Sequence, residues 1–386
     1  MSNILQQEPD QIVEQLGVTP IARVSDDEIW NHLVTPTVKG LLGEVKVKEP
    51  AQILDTIAGR FKGDEVSNLN HHDIKGPDGK PRVRYPYSHT LWKTVNGAVV
   101  FKRDGVKFEV FCWFGDVERE RAELIFKAAL RDRRYDGTAR ANDCCLLEYT
   151  YDNPDYHKPL SKQMSSVELS IYGFLPGSRV ADASGDAEFD AFVANPFRFI
   201  GDADKFLGLF QRALQTKRAP GQFSAPIPDV AKFTQLGFEF LARKYGYDIL
   251  EMAASHYHVA KWAISDGFLL ADLEQANVMA RFAAGLDKIR ASGHPLTRSQ
   301  QSWACVVNSL RPAEKIPAVF QMGDANLLWP QDNISDCCLW LYKPLSAKAA
   351  AAKIDVTFRP SADNAAPAAE RRRAIRPLRK GGRGRK

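Results

Sequence analysis

What the sequence lacks narrows it first. No apolar run approaches the roughly 18 residues that a membrane-spanning helix needs, and Met1 to Glu8 have neither the basic region nor the apolar stretch of a signal peptide. The expectation is a cytoplasmic protein with no membrane partner. No Cys-x-x-Cys occurs among the six cysteines, so zinc-ribbon and thioredoxin spacings are absent. Four of them stand as neighbours, Cys144-Cys145 and Cys337-Cys338. On a strand, neighbours point to opposite faces, so each pair offers at most one thiolate to a given site; small buried hydrophobes are the simpler reading. Gly79-Lys80 is followed by Pro81, which is no phosphate-cradling Walker loop. Neither Gly-x-Gly-x-x-Gly after a strand nor Gly-x-Ser-x-Gly occurs. These gaps exclude the commonest nucleotide-binding and hydrolase signatures. They leave open a site assembled from scattered residues, and they name no cofactor, metal or catalytic residue.

What is present is an ordinary globular composition with an uneven charge distribution. At 386 residues and 44% hydrophobic, the chain is long enough for two or three domains with a sizeable core. The net charge is +5. From Ser361 onward there are nine cations: Arg371, Arg372, Arg373, Arg376, Arg379, Lys380, Arg383, Arg385 and Lys386. Asp363 and Glu370 oppose them, which leaves the tail at +7. The remaining 43 cations face 45 acids, so the body stands at −2. All the net basicity belongs to the tail. Spaced by Gly, Pro and Ala, it cannot bury a core and is expected to be disordered.

The pattern along the chain predicts an α+β fold. It reads as an antiparallel sheet domain with a packed helix, then a mostly helical region, a small return and the disordered basic tail. Residues 1–89 read as helices and loops, with Ser25-Asp26-Asp27-Glu28 as a helix start and a polar loop from Asn68 to Ser88 turning at Gly76-Pro77-Asp78-Gly79. Residues 90–180 carry the clearest signal. Ala98 to Phe101 and Val106 to Phe114 flank Asp104-Gly105, a hairpin turn. A helix is expected from Asp116 to about Arg134, because its acids come early and its bases late. Strands are expected at Cys144 to Tyr151 and Val167 to Phe174. Residues 181–312 read as helices, including one long helical region from Val230 to about Ile289. Thr297 and Gln300 have the spacing of a capping box. Residues 313–359 carry strand candidates at Ala318 to Met322 and Cys337 to Tyr342, then a weak helix from Ala347. The tail is 360–386. Asp-Cys-Cys-Leu recurs at Asp143 and Asp336, either a duplicated strand module or a coincidence.

Three groups of residues bear on chemistry. His71-His72-Asp73, with His89, lies in the polar loop and is free to converge on a metal. His256 and His258 fall in a helical pattern, where residues two apart point about 200° apart and cannot share one metal. Glu148 and Glu168 sit on expected strands among apolar neighbours, either raised in pKa or facing solvent.

Nucleic-acid association draws on the tail and on the hairpin. A tail of nine cations attracts polyanions by releasing counterions, and Arg383-Gly384-Arg385 has the glycine-interrupted form of basic single-strand-binding segments. Lys107, Phe111 and Trp113 share one face of the second hairpin strand, a surface on which unpaired bases stack if it is open. Residues 268–310 add a resemblance: an aromatic–Leu helix, Phe268-Leu269, precedes Gly293, Leu296, Thr297, Gln300 and Trp303. This segment resembles one in phage-encoded DNA-metabolism accessory proteins, departing from it at His294-Pro295. The resemblance implies a nucleic-acid context, with the host cytoplasm as location, and assigns no activity. The leading expectation is a non-enzymatic protein that binds nucleic acid, DNA or RNA and preferentially single-stranded. An enzyme with its site at 68–89, or a structural assembly protein, are the alternatives.

Overall fold

The hairpin predicted around Asp104-Gly105 is the seed of the sheet in the computed structural model. That structure describes residues 20–49, 71–75, 81–86, 88–103, 107–116, 121–132, 165–178, 186–216, 218–222, 225–270, 273–324, 327–329 and 339–351. Strands β1 (Val45–Glu49), β2 (His71–Lys75), β3 (Pro81–Pro86) and β4 (Ser88–Thr94) precede the hairpin of β5 (Gly97–Arg103) and β6 (Lys107–Asp116). Then come β7 (Arg121–Asp132), β8 (Ser166–Gly173), β9 (Ile249–Ala254), β10 (Leu269–Leu270) and β11 (Leu339–Pro344). Nine of these form one sheet in the order β1-β4-β5-β6-β7-β8-β9-β11-β10, while β2 and β3 pair separately. Neighbours run antiparallel except β8 and β9, which are parallel. The fold is α+β. The sheet draws strands from segments that the sequence divides at 180 and 312, so it crosses both boundaries.

Helices cover one face. They are α1 (Ala187–Ala194), α2 (Ala203–Gln215), α3 (Val230–Lys244), α4 (Tyr257–Ser265), α5 (Leu273–Ala291), α6 (Arg298–Val307) and the short α7 (Ala347–Ala351). Asp186 and Asp202 cap α1 and α2 by accepting backbone N–H bonds. Thr297 and Gln300 form the predicted capping box of α6, and Ser25 with Glu28 forms another. No described helix is long and apolar enough to cross a membrane.

The main core lies between this helical layer and the sheet. At its centre the Trp303 indole stacks on Phe192 at 5.4 Å and donates to the Arg218 carbonyl at 2.7 Å. The N-terminal helical turns, Asp26–Ile29 through Lys39–Leu42, pack on α3 at Gly237. A Cβ at Gly237 would lie 2.2 Å from the His32 carbonyl oxygen, so only glycine permits this approach.

Four expectations are corrected. The helix expected from Asp116 to Arg134 is β7, in which Phe126, Ala128 and Leu130 reach the core at alternate positions. Charge order along a helix contributes about 0.3–1 kcal/mol per group. Burying each large apolar side chain contributes about 1.5–3 kcal/mol, and β6 pairs with nearly the whole of β7 while β8 pairs with Phe126 to Asp132. Burial wins. The long helical region expected from Val230 is interrupted by β9, whose Leu250, Met252 and Ala254 face the core. Ala318 to Met322 is no strand: Ala318–Phe320 is a single tight helical turn behind Pro317. The polar loop from Asn68 contains the β2–β3 hairpin, pairing His71 with Pro86 and Asp73 with Arg84. The strand expected at Cys144 to Tyr151 lies outside the described residues, as do both Cys-Cys pairs and the tail.

Candidate functional site: a charged band across the second face

Side chains alternate across a strand, so the residues between the core positions point to the opposite face of the sheet. At one end this second face is apolar: Leu91, Ala98, Val100, Phe111 and Trp113 form a buried cluster. Towards the other end the same face turns charged. Lys102 lies opposite Glu109, and the Lys102 and Lys127 ammoniums stand 3.7 and 3.8 Å from the two oxygens of the Glu109 carboxylate. Both Lys102 and Glu109 are buried. One carboxylate thus sits between two cations, with Lys127 also 5.2 Å from the centre of the Phe111 ring.

Strand register extends the band. Lys107 is the Cα partner of Arg131, Arg131 of Glu168, Glu168 of Glu251, and Glu251 of Tyr342. Five strands therefore place their polar residues in one row. Arg131 Nη2 donates to Glu168 Oε2 at 2.5 Å. Glu251 and Tyr342 are fully buried. Glu168 does not stand open to solvent: it is held in an ion pair with Arg131. Burying a charge costs several kcal/mol unless a partner offsets it, and in the row Arg131 offsets Glu168 from the adjacent strand. The band positions carboxylates and cations beside one another, and Lys102, Lys127 and Arg131 already face a carboxylate.

The structure corrects the stacking surface expected at Phe111 and Trp113. The two rings stack on each other at 5.6 Å, nearly parallel, and are 0% and 2% exposed. Their faces are occupied, so they offer no platform for bases. The cause lies in the strand itself: β6 is apolar on both sides at this end, and both sides are covered. Lys107 lies in the charged row by register; its side chain lies outside the described residues. So do Arg371, Arg372, Arg373, Arg376, Arg379, Lys380, Arg383, Arg385 and Lys386.

A second polar centre lies at the start of α4. His256 is the residue before the helix, with extended backbone at φ −144° and ψ 157°. It does not follow helical geometry, so the 200° separation expected for His256 and His258 does not arise. Their rings lie parallel, 6.0 Å apart. Burial and the charge of His258 push the His256 pKa down to about 3; burial and Arg298 push that of His258 down to about 4. Both are neutral near pH 7. His258 Nδ1 shares a hydrogen bond with Ser302 Oγ at 3.0 Å, and Phe197 stacks on His256. Among the described residues, no three His, Cys, Asp or Glu side chains are grouped to hold a metal. Cys112 and Cys305 are buried with free thiols, whose pKa values burial pushes up.

Sequence reasoning missed Arg131, Glu109 and Glu251. Arg131 was hidden in a supposed helix and Glu251 in another. The signal that finds them is a lone charge inside an apolar run, as in Ile249-Leu250-Glu251-Met252. Comparisons with protein-family models, with curated proteins and with solved structures give no match to this chain.

Proposed function

We propose that this chain is a non-enzymatic nucleic-acid-associated protein whose tail supplies charge-driven attraction. The observation that carries the reading is the charge partition: nine cations against two acids from Ser361 onward, beside a body at −2. A polyanion gains most from cations that have no acids to satisfy, since each phosphate contact releases a condensed counterion. In the band Lys102, Lys127 and Arg131 already face carboxylates, and the Phe111–Trp113 pair is enclosed, so the tail is the stronger candidate for this role. Gly-interrupted arginines follow an unpaired strand more readily than a rigid duplex groove, which favours single-stranded partners.

Removal of the residues after Pro360 tests the reading. The shortened protein is expected to lose at least tenfold in affinity for a generic single-stranded polynucleotide at low salt. Equal affinity in the two forms would defeat it. One observation favours a second reading as an enzyme: Glu168 and Glu251 are adjacent on parallel strands beside Arg131, two carboxylates in different surroundings. Turnover of a nucleotide or nucleic acid that is lost in Glu251→Gln would support it.

A further inference from the structure

Helix α3 presents an apolar stripe to solvent. Phe233, Leu236 and Phe240 are 37%, 52% and 46% exposed, high for side chains of this size in a helix that otherwise faces the core. At 3.6 residues per turn, Phe233 and Phe240 lie on one line along the helix, with Leu236 about 50° to its side. His32 stacks on the outer part of Phe240 at 4.1 Å, which widens the stripe toward the N-terminal turns. Asp229, the N-cap residue with left-handed backbone at φ 55°, and Lys244 stand at the two ends of the helix.

The order of these residues is symmetric in spacing and antisymmetric in charge. Phe233 and Phe240 are equidistant from the midpoint between Leu236 and Gly237. So are Asp229 and Lys244. A two-fold axis through that midpoint turns the helix onto an antiparallel copy of itself. It sets Phe233 against the partner's Phe240, Leu236 against the partner's Leu236, and each Asp229 carboxylate against the partner's Lys244 ammonium. Lys244 already pairs with Glu28, yet its side chain is 50% exposed and has donors to spare. A parallel pairing would bring acid to acid and base to base.

We infer that α3 is the interface of a homodimer, in which two copies pack antiparallel across the stripe. Closed two-fold pairs are the commonest oligomers, and they require a self-complementary patch; this one is symmetric in spacing and opposite in charge at its two ends.

The test is sedimentation or light scattering of the full-length protein over a range of concentrations. High salt and nuclease keep nucleic acid from bridging the tails. A concentration-dependent dimer is expected, and Leu236→Glu is expected to shift it to monomer with the circular dichroism of the folded chain unchanged, because that side chain is exposed in the protomer. Cysteine crosslinking then reads the register. Helices packed about 9 Å apart place the two Leu236 Cα atoms roughly 6 Å apart, within disulfide reach of about 7 Å. The two Phe233 Cα atoms are about 11 Å apart, beyond it. Leu236→Cys should therefore form a disulfide-linked dimer under mild oxidation, and Phe233→Cys should not. A monomer at every concentration, a dimer indifferent to Leu236→Glu, or equal crosslinking at both positions would each overturn the inference.

Discussion

In the body of this chain Lys102 and Lys127 flank the Glu109 carboxylate, and Arg131 holds Glu168. From Arg371 to Lys386 nine cations follow one another with no acid among them. The same residue types serve opposite ends in the two regions. In the band a cation is a structural element, matched to a carboxylate on a neighbouring strand. In the tail nine cations share two acids, Asp363 and Glu370. Net charge alone, at +5, conceals this division. Where the charge sits, and what already faces it, decides what it can bind.

The comparison is sharpened by variants that damage one region and leave the other alone. The largest effect is expected from Trp303→Ala, which removes a fully buried indole stacked on Phe192 and a hydrogen bond to Arg218. A loss of about 3–5 kcal/mol should appear in urea denaturation, while the folded variant binds polynucleotide as before. Next comes acid. His256 and His258 are neutral in the fold, with pKa values near 3 and 4 against an ordinary 6.5. The unfolded chain therefore takes up protons first as pH falls below 6.5. Their contribution to stability is fully present above that value and is lost down to about pH 3–4. The slope approaches about 1.4 kcal/mol per pH unit for each histidine. Denaturation midpoints at pH 7 and pH 5 should differ, and His256→Gln should reduce the difference.

A smaller loss, about 2 kcal/mol, is expected for Arg131→Met, which leaves the Glu168 carboxylate without its cation. Adding Glu168→Leu should restore most of it, as measured by a double-mutant cycle; full additivity would show that the band is no coupled unit. Smallest is Ser25→Ala. It removes the cap that accepts from the Glu28 N–H and should cost about 1 kcal/mol in melting experiments.

How much of this was legible in the sequence depended on whether a signal was local. The β5–β6 hairpin, the strand at β8, the helices α1, α2 and α6, the helix start at Ser25 and the capping box at Thr297 are written in neighbouring residues, and all are found. β7 and β9 were not legible. β9 is flanked by β8 and β11, both distant in sequence, and β7 by the distant β8 on one side, and partners that complete a ladder outweigh local propensity. The candidate site failed for the same reason. The row from Arg131 through Glu168 and Glu251 to Tyr342 exists only after four strands are in register. The enclosure of Phe111 and Trp113 depends on what covers the second face, which alternation within one strand does not reveal. Only the charge partition needed no fold at all, and it carries the functional proposal.

The central claim is that attraction to nucleic acid resides in the tail, and its most direct measurement is the salt dependence of binding. For single strands the slope of log K against log salt is about −0.7 for each phosphate neutralised. Full engagement of nine cations therefore gives about −6. The account predicts a steep slope in this range for the intact chain. It predicts a slope close to zero when the nine tail cations are replaced by glutamine with the body unchanged. An equally steep slope in the neutralised protein would place the attraction in the body and contradict the account.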